Sequence, residues 1–416
     1  MSKHIVIVGG GFAGIAVAKQ FKGTNFRVTI VDKSNHHLFQ PLLYQVATAA
    51  LSPGDIAVPI RAVFTKQKNT RVILGKVVGI DKSARNITLE EGDVIDFDYL
   101  VLAPGAKYNY FGHGDWEDVA PGLKTLKDAL QIRERILFSL EKAEKIDDLE
   151  QRKPYLTYVV IGGGPTGVEM AGSIAEIAKR NMMRDYRNFN KNETVIYLIE
   201  AAGNVLNGFA PDLSQKALDT LNKMGVRVLL NSRVEEISEK GVQLKNHFIE
   251  TPNVIWAAGV SASPLLAELD EEMDRSGRVI VNKDLSIPSN DHIFVLGDAA
   301  HFLDEKGKPL VGIAPVALQQ GKFVGKLIKK DSDSKPRPDF HYLDKGTMAT
   351  IGRAKAIADI RGFKISGFIA WLMWGLIHVF FLIGFRNRFR VFAEWGWHYL
   401  TFKRGVRLIA KKDGLK

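Results

Sequence analysis

Two glycine runs, each followed at a distance by a single acid, are the residues of this chain best suited to binding chemistry. Gly9-Gly10-Gly11-Phe12-Ala13-Gly14 follows the apolar run His4 to Val8 and leads into IAVAKQF; a second apolar run, Arg27 to Val31, ends at Asp32 with Lys33 beside it. Gly162-Gly163-Gly164-Pro165-Thr166-Gly167 follows Tyr158 to Ile161, and Thr194 to Ile199 ends at Glu200. Each is a G-x-G-x-x-G run in a strand–turn–helix setting, which is the pattern of a dinucleotide site. The first glycine (Gly9, Gly162) permits the tight turn, and the second (Gly11, Gly164) lets backbone approach a pyrophosphate. The third (Gly14, Gly167) lets the helix pack close to the strand, and the helix N-terminus supplies N–H donors and positive dipole. Asp32 and Glu200 are placed to accept hydrogen bonds from a ribose diol. The bland reading of one such run is a glycine-rich turn without a ligand; two in one chain are far more specific.

The spacing sorts the two sites. Asp32 lies 23 residues after Gly9, while Glu200 lies 38 after Gly162, and the polar stretch 180–193 predicts a helix extension that takes up the difference. The N-terminal run favours FAD, since two-dinucleotide flavoproteins bind FAD first. Glu200, with no Lys or Arg in the residues that follow it, favours NADH over NADPH. Ile293 to Leu296 ends in Gly297-Asp298, where an Asp at the N-terminus of a following helix either bonds the ribityl–pyrophosphate part of FAD or serves as an N-cap. Tyr99 to Leu102 ends in Ala103-Pro104-Gly105, and Val254 to Ala257 ends in Ala258-Gly259, which places two further strand ends at the two nucleotides. Glu169, in the first turn of the second nucleotide helix, has two readings: a carboxylate that complements the helix dipole, or a catalytic side chain that orients the dihydronicotinamide.

These residues need elements to hold them. The chain reads as α/β, with two Rossmann-like dinucleotide-binding domains, the FAD domain interrupted by an inserted NAD domain. The segments are 1–115 and 286–345 for FAD, 155–285 for NADH, a helical connector at 116–154 with one helix from Thr125 to Glu150, and a C-terminal helical module at 346–416. There are no cysteines, which excludes disulfides, thiolate nucleophiles and iron–sulfur ligation. No metal site is expected. The opening MSKHIVIVGGG enters a strand at once, which predicts no cleavable signal peptide and a cytoplasmic start.

Most of the charge is C-terminal. Residues 362–416 hold ten Lys/Arg (Lys403, Arg404, Lys411, Lys412 and Lys416 among them) against Glu394 and Asp413, which is +8 of the net +11. Within them, Ile365 to Phe385 is almost wholly apolar, and as one helix would reach roughly 31 Å, enough to cross a bilayer. Gly367, Trp371, Trp374, Gly375 and His378 share a face with polar tips, while Ile369, Leu372, Leu376, Phe380 and Ile383 crowd the other. This pattern, with the aromatic and basic residues after it, favours lying in the membrane interface. Nucleic acid is the competing partner for a basic tail, but an unbroken apolar run does not suit it.

Beyond the fingerprints, the segments His37-Leu38-Phe39-Gln40-Pro41-Leu42-Leu43-Tyr44-Gln45-Val46-Ala47-Thr48, Asn109-Tyr110-Phe111-Gly112 and MATIGRAKAIAD through FRNR strongly resemble type II NADH:quinone oxidoreductases over nearly the whole chain. The resemblance implies respiratory NADH:quinone oxidoreduction without proton pumping, a membrane-anchoring C-terminal module, attachment at the cytoplasmic face of the cell membrane, and a homodimer. It also implies a quinone pocket. The family's A-Q-x-A-x-Q motif matches Ala314-Pro315-Val316-Ala317-Leu318-Gln319-Gln320, with Pro315 in place of the first Gln. Gln319 is the candidate polar contact, with Gln320 beside it and His378 from the C-terminal module; the alternative for both glutamines is a polar helix start packed under the flavin. Zero cysteines excludes the disulfide and sulfide:quinone reductases of the same superfamily. The remaining rivals are a soluble reductase of another electron carrier and a flavin-bearing scaffold resembling apoptosis-inducing factor.

Overall fold

The computed structural model describes residues 2–178, 185–330, 336–401 and 405–409. They form two compact units. Unit 1 comprises residues 1–38, 57–107 and 260–343, and unit 2 comprises residues 39–56, 108–259 and 344–416. The division differs from the segments read off the sequence: 39–56 and 108–115 go with unit 2, and unit 1 resumes at 260 rather than 286.

Unit 1 is built on a six-stranded sheet in the order Ser286–Ile287, Asn290–Val295, Tyr99–Leu102, His4–Val8, Arg27–Asp32, Thr70–Leu74. All pairs are parallel except the first. His4–Val8 and Tyr99–Leu102 are buried along their length, as the apolar strands of a parallel sheet covered on both faces are. The Phe12–Lys19 and Ala314–Lys330 helices pack on each other beside the sheet. The strand ends converge: Gly9 N–H donates to Val31 O, Ala103 N–H to Val8 O, and Leu296 N–H to Leu102 O.

Unit 2 repeats the plan on a smaller parallel sheet, ordered Val226–Leu229, Val195–Ile199, Thr157–Ile161, Asn253–Trp256. Its equivalent bonds run from Gly162 N–H to Ile199 O and from Ala257 N–H to Ile161 O. The Pro165–Glu176 helix presents Gly172 to the Thr347–Gly352 strand so closely that an added Cβ would lie 1.7 Å from Ile351 O. Glu176 accepts from the Arg353 N–H at the end of that strand, so strand and helix are locked in register.

Several local expectations change. The single helix expected over Thr125 to Glu150 is two, because Thr125 caps Leu126–Glu144 through a capping box and Asp148 caps a separate Leu149–Arg152 turn, and a short Trp116–Val119 helix precedes them. The predicted helix extension lies outside the described residues over 180–184, and from Asp185 onward the chain is turn and bend up to the Val195 strand. The C-terminal module is not wholly helical: it opens with a three-stranded antiparallel sheet, Thr347–Gly352, Lys355–Ile360 and Phe363–Gly367.

The apolar run after it is broken as well. The third strand claims its first residues, Phe368–Phe381 is a helix of 14 residues, and Gly384 at φ +89° turns the chain into Phe385–Thr401. Fourteen residues reach about 21 Å, and among the described residues no helix is long and apolar enough to cross a membrane. The two faces are real, but the face with polar tips packs inward: Trp374 is buried and stacks on His378, whereas Ile369, Leu372, Leu376 and Phe380 are exposed. Gly367 and Ile383 fall outside the helix. The basic residues Lys403, Arg404, Lys411, Lys412 and Lys416, with Asp413, lie outside the described residues.

Candidate functional site

Both fingerprints take the geometry that their glycines anticipate. Gly9 and Gly162 have φ of +106° and +110°. A Cβ on Gly14 would lie 1.9 Å from Gly9 O, and one on Gly167 1.8 Å from Gly162 O, so each helix sits directly on its turn. At Gly11 and Gly164 an added Cβ would meet nothing within 4 Å, which leaves the backbone at each helix start open to a ligand. Phe12, Ala13, Pro165 and Thr166 begin these helices. This arrangement fits a pyrophosphate in each unit.

The two acids, expected at a ribose, are each bonded to backbone. Asp32 Oδ2 accepts from Gly10 N–H at 2.6 Å and Oδ1 from Ser34 N–H at 2.6 Å. Glu200 Oε2 accepts from Gly163 N–H at 2.5 Å and Oε1 from Ala202 N–H at 2.8 Å. Burial pushes the Asp32 pKa up, against the pull of these N–H donors and of Lys33, whose side chain is exposed. Ala103 and Gly105 end the Tyr99–Leu102 strand in unit 1. In unit 2, Ala258 and Gly259 end the Asn253–Trp256 strand, where Phe111 packs against Gly259.

Asp298 follows Gly297 at φ +67° as expected, but no long helix starts there. A single 3-10 turn, Gly297–Ala299, is followed by a short strand and a loop, and the helix begins only at Ala314. That helix reaches back through Gln320, buried, whose Oε1 accepts from Gly297 N–H at 2.7 Å. Pro315 stands in its first turn, where a missing N–H costs nothing. Gln319 donates to Leu343 O and accepts from Leu343 N–H, both at 3.0 Å. Both glutamines, including Gln319, the candidate polar contact to a quinone, therefore have backbone partners.

Unit 2 contains a cavity of about 810 Å³. The Pro165–Glu176 helix contributes Glu169 and Ser173, the Leu43–Ala47 helix Tyr44 and Gln45, and the C-terminal helices Trp371, Trp374, Trp395 and His398. Its polar groups are fixed by one another. Trp395 Nε1 donates to Gln45 Oε1 at 2.7 Å, Gln45 Nε2 to Tyr44 Oη at 2.9 Å, and His398 Nε2 meets Ala50 O at 2.8 Å. Trp374 lies 5.4 Å from Trp395, and Trp371 stacks on Tyr399 at 5.6 Å. One side of the cavity is thus a set of broad aromatic faces, suited to a planar apolar ring, while Glu176, Lys191, Lys223, Arg353 and Lys355 bring charge to the rest of the lining.

Glu169 belongs to this cavity. It is the fifth residue of its helix, beyond the first turn, so the dipole reading does not apply. Burial pushes its carboxyl up to about 8, with a backbone hydrogen bond at Thr350 acting in the other direction. A carboxyl with that pKa holds a proton at neutral pH and can give it up. His378 lies behind the wall rather than on it. Its Nδ1 meets Trp374 O at 2.6 Å, its ring stacks on Trp374, and burial lowers its pKa to about 4. Gln45, Thr350, Trp395 and His398 were not expected as site residues; Gln45 and Thr350 lie in the longer family-like segments, whereas Trp395 and His398 lie in the aromatic and basic stretch read as a membrane anchor.

Two dinucleotide cradles on parallel sheets, in a chain without a cysteine, define a two-nucleotide flavin reductase whose chemistry does not run through a protein disulfide. The family model described as pyridine nucleotide-disulphide oxidoreductase matches residues 3–321, and that of the NDH2 C-terminal domain matches 345–404. The chain is 40% identical over 98% of its length to the type II NADH:quinone oxidoreductase NdhA of Mycobacterium tuberculosis, covering 90% of that protein, and 40% identical over 99% to Ndh of the same organism, covering 91%. In structure it is similar to NDH2 of Plasmodium falciparum in complex with NADH, with a TM-score of 0.90 over 99% of this chain and 100% of that one at 21% identity. The chain belongs to the type II NADH:quinone oxidoreductases.

Proposed function

We propose that this chain passes reducing equivalents from NADH, held on the second fingerprint, through FAD, held on the first, to a membrane quinone received in the unit 2 cavity. The observation that carries the reading is Glu169: a carboxyl, its pKa raised by burial, on the wall of a cavity that also holds the fixed amide of Gln45. FAD held at Gly9, Gly11, Gly14 and Asp32 would supply the redox chemistry between NADH and the quinone. The protein's part is to position, to keep water out and to handle protons. Gln45, anchored by Trp395 and Tyr44, is placed to orient a quinone oxygen. Glu169 carries a proton for the quinol, and NADH + H⁺ + quinone gives NAD⁺ + quinol overall.

The first test is anaerobic. NADH added to the purified, detergent-solubilised protein is expected to bleach the flavin absorbance at once, and a water-soluble quinone to restore it fully. Bleaching that quinone does not reverse would place the electron acceptor elsewhere and revive the soluble-carrier and scaffold readings.

The same reading includes peripheral attachment at the cytoplasmic face of the membrane. Supporting it, the C-terminal helices expose Ile369, Leu376, Phe380, Phe385, Phe389 and Leu400, with Phe385 83% and Leu400 78% exposed, interleaved with Arg386 and Arg388. Apolar residues set among cations are what an anionic lipid surface recognises. Flotation with vesicles containing anionic lipid is expected to carry the protein to the top of the gradient. A double Phe385→Ser, Leu400→Ser variant should remain largely at the bottom, and equal flotation of parent and variant would remove the helices from the anchor.

A further inference from the structure

The middle glycine of each fingerprint has its peptide groups gripped on both sides. In unit 2, Gly163 N–H donates to Glu200 and Gly163 O accepts the backbone N–H of Leu206 at 2.8 Å. In unit 1, Gly10 N–H donates to Asp32, but the group that meets Gly10 O is a side chain, His37 Nδ1 at 3.1 Å. A carbonyl oxygen only accepts, so Nδ1 carries the proton and, in the neutral ring, Nε2 is bare. That Nε2 is buried with no hydrogen-bond partner among the described residues, and the residue is 2% exposed. Burial lowers the His37 pKa to about 4, so the ring is neutral at physiological pH. The ring also meets Phe12 edge-on at 5.0 Å, at the first residue of the nucleotide helix. A buried nitrogen left without a partner is unfavourable. A Leu or Phe would fill this place without that cost, so the feature that sets histidine apart here is the Nδ1–H bond.

We propose that His37 is a positioning residue for FAD: it fixes the Gly10 carbonyl, and with it the peptide to Gly11, so that the open backbone at the helix start faces the pyrophosphate. It acts through the backbone and is the side-chain counterpart of the Leu206 N–H in the second site. The proposal rests on the reading that the first fingerprint holds FAD. Because the second site makes the same bond from backbone, changes at His37 separate the two nucleotides.

The test follows flavin release from full-length holoenzyme after dilution, read as the rise in FAD fluorescence, with ADP-ribose affinity measured by calorimetry on the same preparations. His37→Asn places an amide N–H at the same bond distance from Cβ as Nδ1, whereas His37→Gln moves it one bond further and His37→Leu removes it. Release is expected to accelerate about 10-fold in the Leu and Gln variants, the scale of one lost hydrogen bond, and to stay within about 3-fold of the parent in the Asn variant. ADP-ribose affinity should be unchanged in all three, which also shows that unit 2 remains folded. Equal release rates across the series, or acceleration in Asn as large as in Leu, would overturn the role of His37. Gly11→Val distinguishes the two levels: it is expected to purify without flavin, and if it retains FAD with parental release, the assignment of FAD to the first fingerprint falls instead.

Discussion

Replacing Glu169 with Gln is expected to slow quinone reduction at pH 7 by about 100-fold, the lower end of what a positioned proton donor contributes, while NADH still bleaches the flavin at the parental rate. Gln keeps the size and polarity of the side chain but has no proton to release. With the carboxyl at about 8, the parent's quinone-reducing step should decline as pH rises through that value, and the variant should lose this limb. Stopped-flow measurement of the two half-reactions between pH 6 and 9.5 separates the possibilities. Slowed bleaching with normal reoxidation would instead support the dihydronicotinamide-orienting reading of Glu169. Stability carries the same signature. The folded-state pKa lies above the ordinary 4.5, so the folded protein holds an extra proton between these values and loses stability as pH rises from about 4.5 through about 8. The Gln variant should therefore gain on the parent in thermal midpoint above pH 8 and lose that advantage toward pH 5.

The second large effect is steric. Gly14→Val would drive a branched side chain into Gly9 O, which already lies 1.9 Å from the position of a Cβ. The contact is with backbone, so no rotamer relieves it, and the helix must move off the turn that it builds. The protein is expected to purify without flavin, read as the ratio of flavin to protein absorbance. Gly167→Val makes the same clash with Gly162 O at 1.8 Å in the other unit. It should keep its flavin and raise the KM for NADH by about 100-fold, since the approach of backbone to pyrophosphate is lost. A full flavin complement in Gly14→Val, or a normal KM in Gly167→Val, would remove the corresponding nucleotide from that cradle.

The sequence by itself determined the two nucleotide cradles and the family. Fingerprints are local: glycine spacing, a β-branched strand before it and an acid at the end of the next strand are set by steric rules that act over a few tens of residues. Asp32 and Glu200 accordingly take equivalent places, each bonded to the middle glycine of its turn. The absence of cysteine likewise excludes disulfide chemistry. What failed were readings in which a run of one composition was given one conformation. Ile365 to Phe385 is almost wholly apolar, yet its first residues pair as a strand with Lys355–Ile360, because an antiparallel neighbour offers backbone partners that composition does not reveal. Only the tertiary structure decided which side of the Phe368–Phe381 helix turns inward, and it is the tryptophan side, because Trp374 finds His378 and Trp395 to stack on. The same holds for Gln319, whose amide is taken by Leu343, 24 residues away in the chain. The cavity itself was beyond local reading: Glu169, Gln45, Thr350 and Trp395 come from four separate stretches, and long-range packing alone makes them neighbours and raises the pKa of Glu169.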